Sequence, residues 1–155
     1  MNIKVVLDKG ASVPSKTRES DVGYDIKANN VKFIGLQPVI GLRGDNRAIY
    51  AYVEVDTGVH VKPEDGYYVE VIPNSRWGKR GVVPYSNGII DPEYTGSIKL
   101  IFKLLSWYEK DDIPKVGDVV GQLIIRNKYD TTFEVVDSLP KTDRGDGAFG
   151  STEKS

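Results

Sequence analysis

The chain has 155 residues and a formal net charge of -1, with 39% hydrophobic and 28% charged residues, the balance expected of one soluble globular domain. The near-zero charge disfavours duplex nucleic-acid binding, which usually needs a basic excess. Having no cysteine and only one histidine, His60, the chain excludes disulfides, thiol nucleophiles and zinc clusters, which leaves carboxylates, hydroxyls, cations and a hard metal ion such as magnesium.

Apolar residues alternate with polar ones along several short segments, which predicts β-strands rather than helices. The first segment, residues 1–8, lacks the long apolar stretch of a signal peptide, so we interpret it as a strand of a cytoplasmic protein. His60 lies in another alternating segment and is expected at an exposed strand position. Further strands are predicted at residues 48–55, 67–72, 97–105, 119–125 and 131–136.

Turn sequences rich in glycine, proline and aspartate separate these segments at residues 43–46, 62–66 and 113–117. Sixteen glycines and eight prolines leave little room for long helices, and at most one short helical turn is expected, near residues 76–79. The pattern predicts an all-β sandwich or barrel. Such a domain protects its sheet edges by closing into a barrel or by assembling into a symmetric oligomer, and the sequence does not choose between them.

The segment Gly-Ile-Ile-Asp-Pro-Glu-Tyr-Thr-Gly, residues 88–96, contains a candidate catalytic carboxylate. Asp91 follows an apolar strand end and precedes Pro92, whose ring restrains the turn and so holds the carboxylate stiffly. Tyr94 and Gly96 follow at the start of the next strand. The alternative is an ordinary β-hairpin in which Asp-Pro serves only as turn chemistry.

Three segments offer groups for an anion or a metal ion. The first is Pro-Asn-Ser-Arg-Trp-Gly-Lys-Arg-Gly, residues 73–81. Its Ser75 lies beside cations and backbone amides that suit phosphate oxygens; the alternative is a charged surface turn. Asp25 is either an exposed strand-end carboxylate or a partner of magnesium through water. Gln122 lies in the apolar segment 117–124 and needs partners, either backbone groups or a ligand phosphate.

The C-terminal segment Arg-Gly-Asp-Gly-Ala-Phe-Gly-Ser-Thr, residues 144–152, is too rich in glycine to build a core. It holds the groups needed to close over a nucleotide, namely an aromatic face for the base, and a cation and hydroxyls for phosphates. We therefore expect a β domain at residues 1–140 and a flexible lid at 141–155, with a disordered tail as the alternative.

Taken in order, the segments at residues 23–26, 73–75, 88–96, 117–124 and 144–152 resemble the five motifs of the trimeric dUTPase family. The resemblance implies an all-β, jelly-roll-like sandwich or barrel of the β-clip type, in a homotrimer whose active sites are shared between subunits. It also implies hydrolysis of dUTP to dUMP and pyrophosphate with Mg²⁺, in a bacterial cytosol or that of a virus-infected host, without nucleic-acid or membrane partners.

The resemblance implies a role for each motif residue. Asp91 would act as general base on the water that attacks the α-phosphorus, since an aspartate is ionised at neutral pH. Asp25 would hold the water shell of Mg²⁺, while Ser75 and Gln122 would bind phosphate oxygens. Tyr94 would pack on the deoxyribose and leave no room for a 2′-hydroxyl.

Contacts with the base and the lid complete the implied site. The resemblance implies that main-chain groups pair with the edge of uracil, at Gly88, Ile89, Ile90 and Lys99. With cytosine bound, the same groups would be buried without hydrogen-bond partners. In the lid, Arg144 would contact phosphate and Phe149 would stack on uracil. The terminal phosphate would be wrapped by Gly150, Ser151 and Thr152.

The chain departs from the family pattern in places. Asn74 stands where the second motif usually has arginine, and we expect Arg76 or Arg80 to supply the missing charge at the substrate. Tyr85 replaces a common asparagine ahead of the third motif. Residues 33–48 are longer than usual and are interpreted as a surface elaboration.

Two rival functions remain open at this point. A dCTP deaminase shares the fold, but Ile101 stands about where its catalytic glutamate is expected, and Tyr94 where it typically has tryptophan. A non-catalytic or regulatory member would bind dUTP, or a protein partner through residues 33–48, and the uncharged Asn74 motivates this alternative.

Overall fold

The structure is a computed structural model that describes residues 2–38, 48–85, 88–105, 110–143 and 145. Its described part is built from short antiparallel strands and two 3₁₀ helices. The strands are β1 (Lys4–Leu7), β2 (Tyr24–Lys27), β3 (Asn30–Pro38), β4 (Ala48–Asp56), β5 (Val59–Lys62), β6 (Tyr67–Pro73), β7 (Val82–Pro84), β8 (Gly88–Ile90), β9 (Lys99–Leu104) and β10 (Val119–Asn127). The 3₁₀ helices are Ser75–Arg80 and Lys110–Asp112.

Two four-stranded sheets form the body of the domain, in the orders β2-β10-β6-β8 and β3-β4-β9-β7, and β1 pairs with β5 in a small third sheet. Buried and more exposed residues alternate along β6 and β9, so each strand gives one face to the interior. The buried side chains of both large sheets form one cluster, which includes Val53, Val71, Phe102 and Val120. The result is the all-β sandwich that the turn-rich, alternating sequence predicts.

Five predicted strands are confirmed, as β1, β4, β6, β9 and β10. The predicted strand at residues 131–136 is wrong for the single chain, because these residues pair with no strand in the described ranges. Phe133 is 93% and Val135 99% exposed. Alternation favours a strand, but a strand forms only where a neighbour accepts its backbone hydrogen bonds.

The helical turn predicted near residues 76–79 is confirmed as the 3₁₀ helix Ser75–Arg80, which Asn74 caps and whose Trp77 is buried. The expectation of at most one such turn is wrong, since Lys110–Asp112 forms a second one. No helix within the described residues is both long and apolar enough to cross a bilayer.

Candidate active site

The first polar group, here termed the Asp25 cluster, consists of Thr17, Asp25 and Gln122. The register of β2 and β10 places Gln122 opposite Asp25, and Gln122 Nε2 donates a 2.9 Å hydrogen bond to Asp25 Oδ1. The Thr17 hydroxyl donates a 3.1 Å bond to Oδ2. Since a carboxylate offers about four acceptor positions, these bonds orient Asp25 without exhausting its capacity to accept bonds from water.

Within the chain Gln122 donates to a carboxylate, a partner that the sequence did not indicate because it does not show which strand lies opposite β10. The amide has a second N–H, so binding of a ligand phosphate by Gln122 stays a prediction. Gly23 makes room for this contact. A Cβ added at Gly23 would lie 2.7 Å from Gln122 Oε1 and 2.9 Å from its Cβ. Any larger residue at position 23 would therefore push Gln122 away from Asp25.

The 3₁₀ helix Ser75–Arg80 begins beside the Asp25 cluster, because the Asn74 N–H donates to Val120 O on the strand that carries Gln122. Asn74 Oδ1 accepts a 3.1 Å bond from the Arg76 N–H, which is the contact of an N-cap residue. Asn74 is thus a neutral cap, and Ser75, the first helical residue, is exposed.

Two arginines of this helix lie against the buried Trp77 ring, with guanidinium carbons 4.5 Å (Arg76) and 5.5 Å (Arg80) from its centroid. Arg76 also lies 3.7 Å from Asp118. Arg76 directly follows Ser75, whereas Arg80 lies about 10 Å further along the 3₁₀ axis. Of the two cations, Arg76 is therefore the better placed to act with Ser75.

The third motif is a loop that passes between the two large sheets, because β8 belongs to one and β9 to the other. The Tyr94 N–H donates to Asp91 O at 2.9 Å, closing a turn with the exposed Asp91 at its first position. The Tyr94 hydroxyl donates to Ser97 O at 3.0 Å. A Cβ at Gly96 would overlap that hydroxyl and lie 2.5 Å from Cζ, so glycine leaves the space that the tyrosine ring occupies.

The main chain of Lys99 faces away from β4. Lys99 pairs with Asp56, and the Thr57 N–H donates to Ile98 O, which makes the Asp56–Lys99 pair a non-hydrogen-bonded one. On the other side of β9, β7 ends at Pro84, before reaching Lys99. Among the described strands, β8 likewise pairs only with β6. The main-chain groups of Lys99 on β9 and of β8 on the side away from β6 are therefore suited to the implied contacts with a base.

Asp56 fixes the second strand of this loop. Burial raises the pKa of Asp56, but hydrogen bonds from the Ser97 hydroxyl and the Gly58 N–H, with the Lys99 charge, outweigh it and hold the pKa below the ordinary 3.8. The hydrogen bond and charge of Glu54 raise the pKa of Lys99 above its ordinary 10.5. The Lys99 ammonium lies 3.2 Å from Glu54, and the base contact implied for this residue is one of its main chain.

The single chain does not bring Asp91 close to the Asp25 cluster. Asp25 lies in one row with Ile72 of β6, across β10, whereas Asp91 follows Ile90, which pairs with Val69. The offset is about 13 Å along the strands and about 14 Å across them. The two carboxylates are thus roughly 20 Å apart and cannot serve the same phosphate within one chain.

The lid residues lie outside the described residues: Arg144, Phe149, Gly150, Ser151 and Thr152. The structure also adds residues that sequence reasoning missed. Thr17 reaches Asp25 from a loop, and Lys62 contacts the loop of Asp91. No sequence pattern marks either residue, because each contact depends on how distant segments pack.

The oxygen donors of the chain suit a hydrated metal ion better than a directly coordinated one. In the part of the chain that the structure describes, no three acidic or histidine side chains are close enough to hold a metal ion directly. Asp25 is a half-buried, oriented carboxylate. Such a donor fits Mg²⁺ that keeps several waters and takes its remaining oxygens from substrate phosphates.

The chain matches known proteins along almost its full length. The family model for dUTPase matches residues 46–153. The deoxyuridine 5′-triphosphate nucleotidohydrolase of Escherichia phage T5 is 32% identical over 152 residues, 97% of each chain. That of Kluyveromyces lactis is 33% identical over 157 residues, covering 99% of this chain and 95% of the relative.

A solved dUTPase of Staphylococcus bacteriophage 80alpha, in complex with dUpNHpp, superimposes with a TM-score of 0.73 at 20% identity, covering 97% of this chain and 98% of the other. That likeness shows the fold. Together with the sequence matches it makes the chain a nucleotide-hydrolysing enzyme with an all-β, jelly-roll-like fold. The chain belongs to the dUTPase family.

Proposed function

We propose that this chain is a dUTP diphosphatase that hydrolyses dUTP to dUMP and pyrophosphate and acts in the cytosol. The observation that carries the proposal is the family match over residues 46–153, with the five motifs in order. The Ile101 side chain, where a deaminase would need a glutamate, opposes deamination because it cannot carry a proton.

The Asp25 cluster and the helix after Asn74 form the phosphate side of the proposed site. Gln122 and Ser75 donate hydrogen bonds to phosphate oxygens, and Arg76 supplies the charge that Asn74 lacks. Asp25 accepts hydrogen bonds from the waters of Mg²⁺. When bound, that ion neutralises charge that develops on the departing pyrophosphate.

The third-motif loop forms the base and reaction side. Asp91 takes a proton from the water that attacks the α-phosphorus, and its place at the first position of a proline-restrained turn keeps the carboxylate oriented. The Tyr94 ring, held by its bond to Ser97, covers the sugar and excludes a 2′-hydroxyl. The main-chain edges of β8 and Lys99 pair with uracil.

We also propose a homotrimer whose sites combine residues of different copies. The separation of roughly 20 Å between Asp25 and Asp91, estimated from strand spacing, supports this, because a second copy is needed to bring both carboxylates to one triphosphate. Residues 128–140, which pair with no described strand, expose several apolar side chains: Tyr129, Phe133, Val135, Val136 and Leu139. Packing of this segment against a neighbouring copy would bury these apolar side chains.

Pyrophosphate release tests the activity. With Mg²⁺ present, we expect release from dUTP and little from dCTP or UTP. Tight dUTP binding without release would favour the regulatory alternative, and ammonia from dCTP would favour deamination.

Sedimentation of the purified chain checks the trimer, and a monomer at assay concentration would contradict shared sites.

The C-terminal lid is proposed to close over bound dUTP, with Phe149 on the base and the following residues on the terminal phosphate. Closure excludes other water from the reaction. Deleting residues 143–155 should remove most turnover and leave the unfolding temperature of the β domain nearly unchanged. Normal hydrolysis by the shortened chain would contradict the lid.

A further inference from the structure

Two side chains of β5 hold the loop that carries Asp91. Lys62 Nζ donates to Pro92 O at 2.9 Å and to Glu93 Oε1 at 2.9 Å. His60 Nδ1 lies 2.8 Å from Thr95 O. His60 and Lys62 are two residues apart on one strand and so share a face. They therefore contact the loop on both sides of Tyr94.

We propose that His60 and Lys62 are positioning residues, which hold residues 92–95 so that Asp91 and Tyr94 are correctly placed toward the nucleotide. The inference rests on the proposed dUTP hydrolysis. Neither residue belongs to the five motifs, and neither contacts the nucleotide itself in this scheme. Their effect on turnover passes through the loop.

His60 has an acceptor at each ring nitrogen. Nδ1 faces the Thr95 carbonyl, and Nε2 lies 3.2 Å from Asp8 Oδ1. A neutral imidazole has one N–H and can satisfy only one of them, whereas an imidazolium donates to both. The bridge from Asp8, just after β1, through His60 to the loop is therefore complete only when the ring is protonated.

The charges around His60 favour the protonated ring. The bond to Thr95 O has the largest effect and raises the pKa of His60 above its ordinary 6.5; burial lowers it, and the Asp8 and Asp56 carboxylates raise it again. Two cations disfavour the protonated ring: Lys62 on the same strand face, and Lys4, which lies opposite Lys62 on β1. Glu93 is paired with Lys62 and offsets that cation.

The stabilising effect of a raised pKa is complete below the unfolded value and disappears as pH rises through the folded value. The loop should thus be fully held below about pH 6.5, the ordinary histidine value, and should loosen above the raised pKa. Turnover of dUTP should fall on the alkaline side in step with loss of the His60 proton.

One histidine in the chain makes the titration directly observable by NMR. We expect the His60 ring to titrate above 6.5 in the wild-type protein, and at lower pH in Asp8→Asn, which removes the charge but keeps an acceptor. The backbone amides of Glu93, Tyr94 and Thr95 should shift with the same midpoint. A His60 midpoint at or below 6.5, or amides that do not follow it, would overturn the inference whatever the activity.

Kinetics separate positioning from a general effect on folding. His60→Gln should lower kcat for dUTP by roughly tenfold, and up to about 100-fold if Asp91 moves by ~1 Å, and should lose the alkaline fall in turnover. Asp8→Asn should keep the acid-side kcat and move that fall to lower pH. If His60→Gln keeps the wild-type profile, His60 has no positioning role.

Lys62 has a matched control in Lys4, an exposed cation on the neighbouring strand. Lys62→Met should lower kcat by roughly tenfold, through displacement of the loop, and increase the relative hydrolysis of UTP. Lys4→Met should keep the wild-type kcat and UTP preference well below pH 6.5, where His60 is protonated in either protein. Equal behaviour of the two variants would overturn the assignment of Lys62. A wild-type protein that releases no pyrophosphate from dUTP would instead contradict the proposed function, while the NMR titration would still decide on the bridge.

Discussion

The two carboxylates of the proposed site occupy opposite environments. Asp25 is half-buried and accepts bonds from Thr17 and Gln122, which suits a fixed acceptor for metal-bound water. Asp91 is exposed at the start of a turn, which leaves its oxygens available to a reacting water. In the proposed scheme, one residue type would therefore serve two tasks because its surroundings differ.

The first prediction concerns Asp91. Asp91→Asn keeps the size of the side chain but removes the base, so kcat should fall by about 10²–10⁴ while binding of a non-hydrolysable dUTP analogue changes little. Pyrophosphate release and calorimetric titration measure the two quantities. Asp65→Asn, in the exposed turn before β6, is the control. A kcat near that of the control would remove Asp91 from its role.

The second prediction concerns the space below Tyr94. Gly96→Ala places a Cβ against the ring of Tyr94, so the ring must move from the position in which it is proposed to exclude a 2′-hydroxyl. The preference for dUTP over UTP in kcat/KM should fall by roughly tenfold. Gly78→Ala, where an added Cβ meets nothing within 4 Å, should keep the preference. An unchanged preference in Gly96→Ala would contradict the role of the ring.

At the scale of elements, the third-motif loop matters because it connects two sheets. One end is fixed by the pairing of β8 with β6. The other end is fixed at β9, where Asp56 accepts bonds from Ser97 and Gly58 and lies near Lys99. The loop therefore has rigid ends and a middle that depends on the β5 side chains.

The third prediction follows from the lowered pKa of Asp56. Its ionised form stabilises the fold above the unfolded value of 3.8, and this contribution is lost as pH falls through the folded pKa. Asp56→Asn should lower the free energy of unfolding at pH 7 by roughly 1–3 kcal/mol. Well below the unfolded value of 3.8, the deficit should shrink. Urea unfolding at one protein concentration measures it, and an equal deficit at both pH values would contradict the charge-based account.

At the scale of the whole molecule, the proposed scheme gives one chain two half-sites rather than one complete site. The phosphate side lies at β2 and β10, and the reaction side follows β8, which is three strands across the same sheet from β2. Segment 128–140 pairs with no described strand and exposes five large apolar side chains. Both features make assembly a condition for activity in the proposed scheme.

The fourth prediction tests this arrangement by mixing two inactive variants. Asp25→Asn and Asp91→Asn are each expected to have low turnover. If Asp25 and Asp91 of one site belong to different copies, co-refolding the variants in equal amounts should restore up to about one quarter of wild-type activity, the random share of intact sites in a symmetric ring. Mixing without refolding is the control, and no recovery after refolding would show that both residues act within one copy.

Local signals in the sequence predicted β1, β4, β6, β9 and β10 and the helical turn after Asn74, and the order of the motifs indicated the family. The predicted turn at residues 43–46 lies outside the described residues. Motif resemblance then named residues such as Asp25, Asp91 and Tyr94 as candidates. Their roles remain predictions, and the lid lies outside the described residues.

Contacts between distant residues became known only from the folded chain. Strand register gave Gln122 its carboxylate partner, packing brought His60 and Lys62 against the Asp91 loop, and the lack of a neighbour left residues 131–136 without the predicted ladder. These contacts join segments up to 97 positions apart. A sequence pattern records the preference of each segment, whereas the pairing of segments depends on the free energy of the assembled fold.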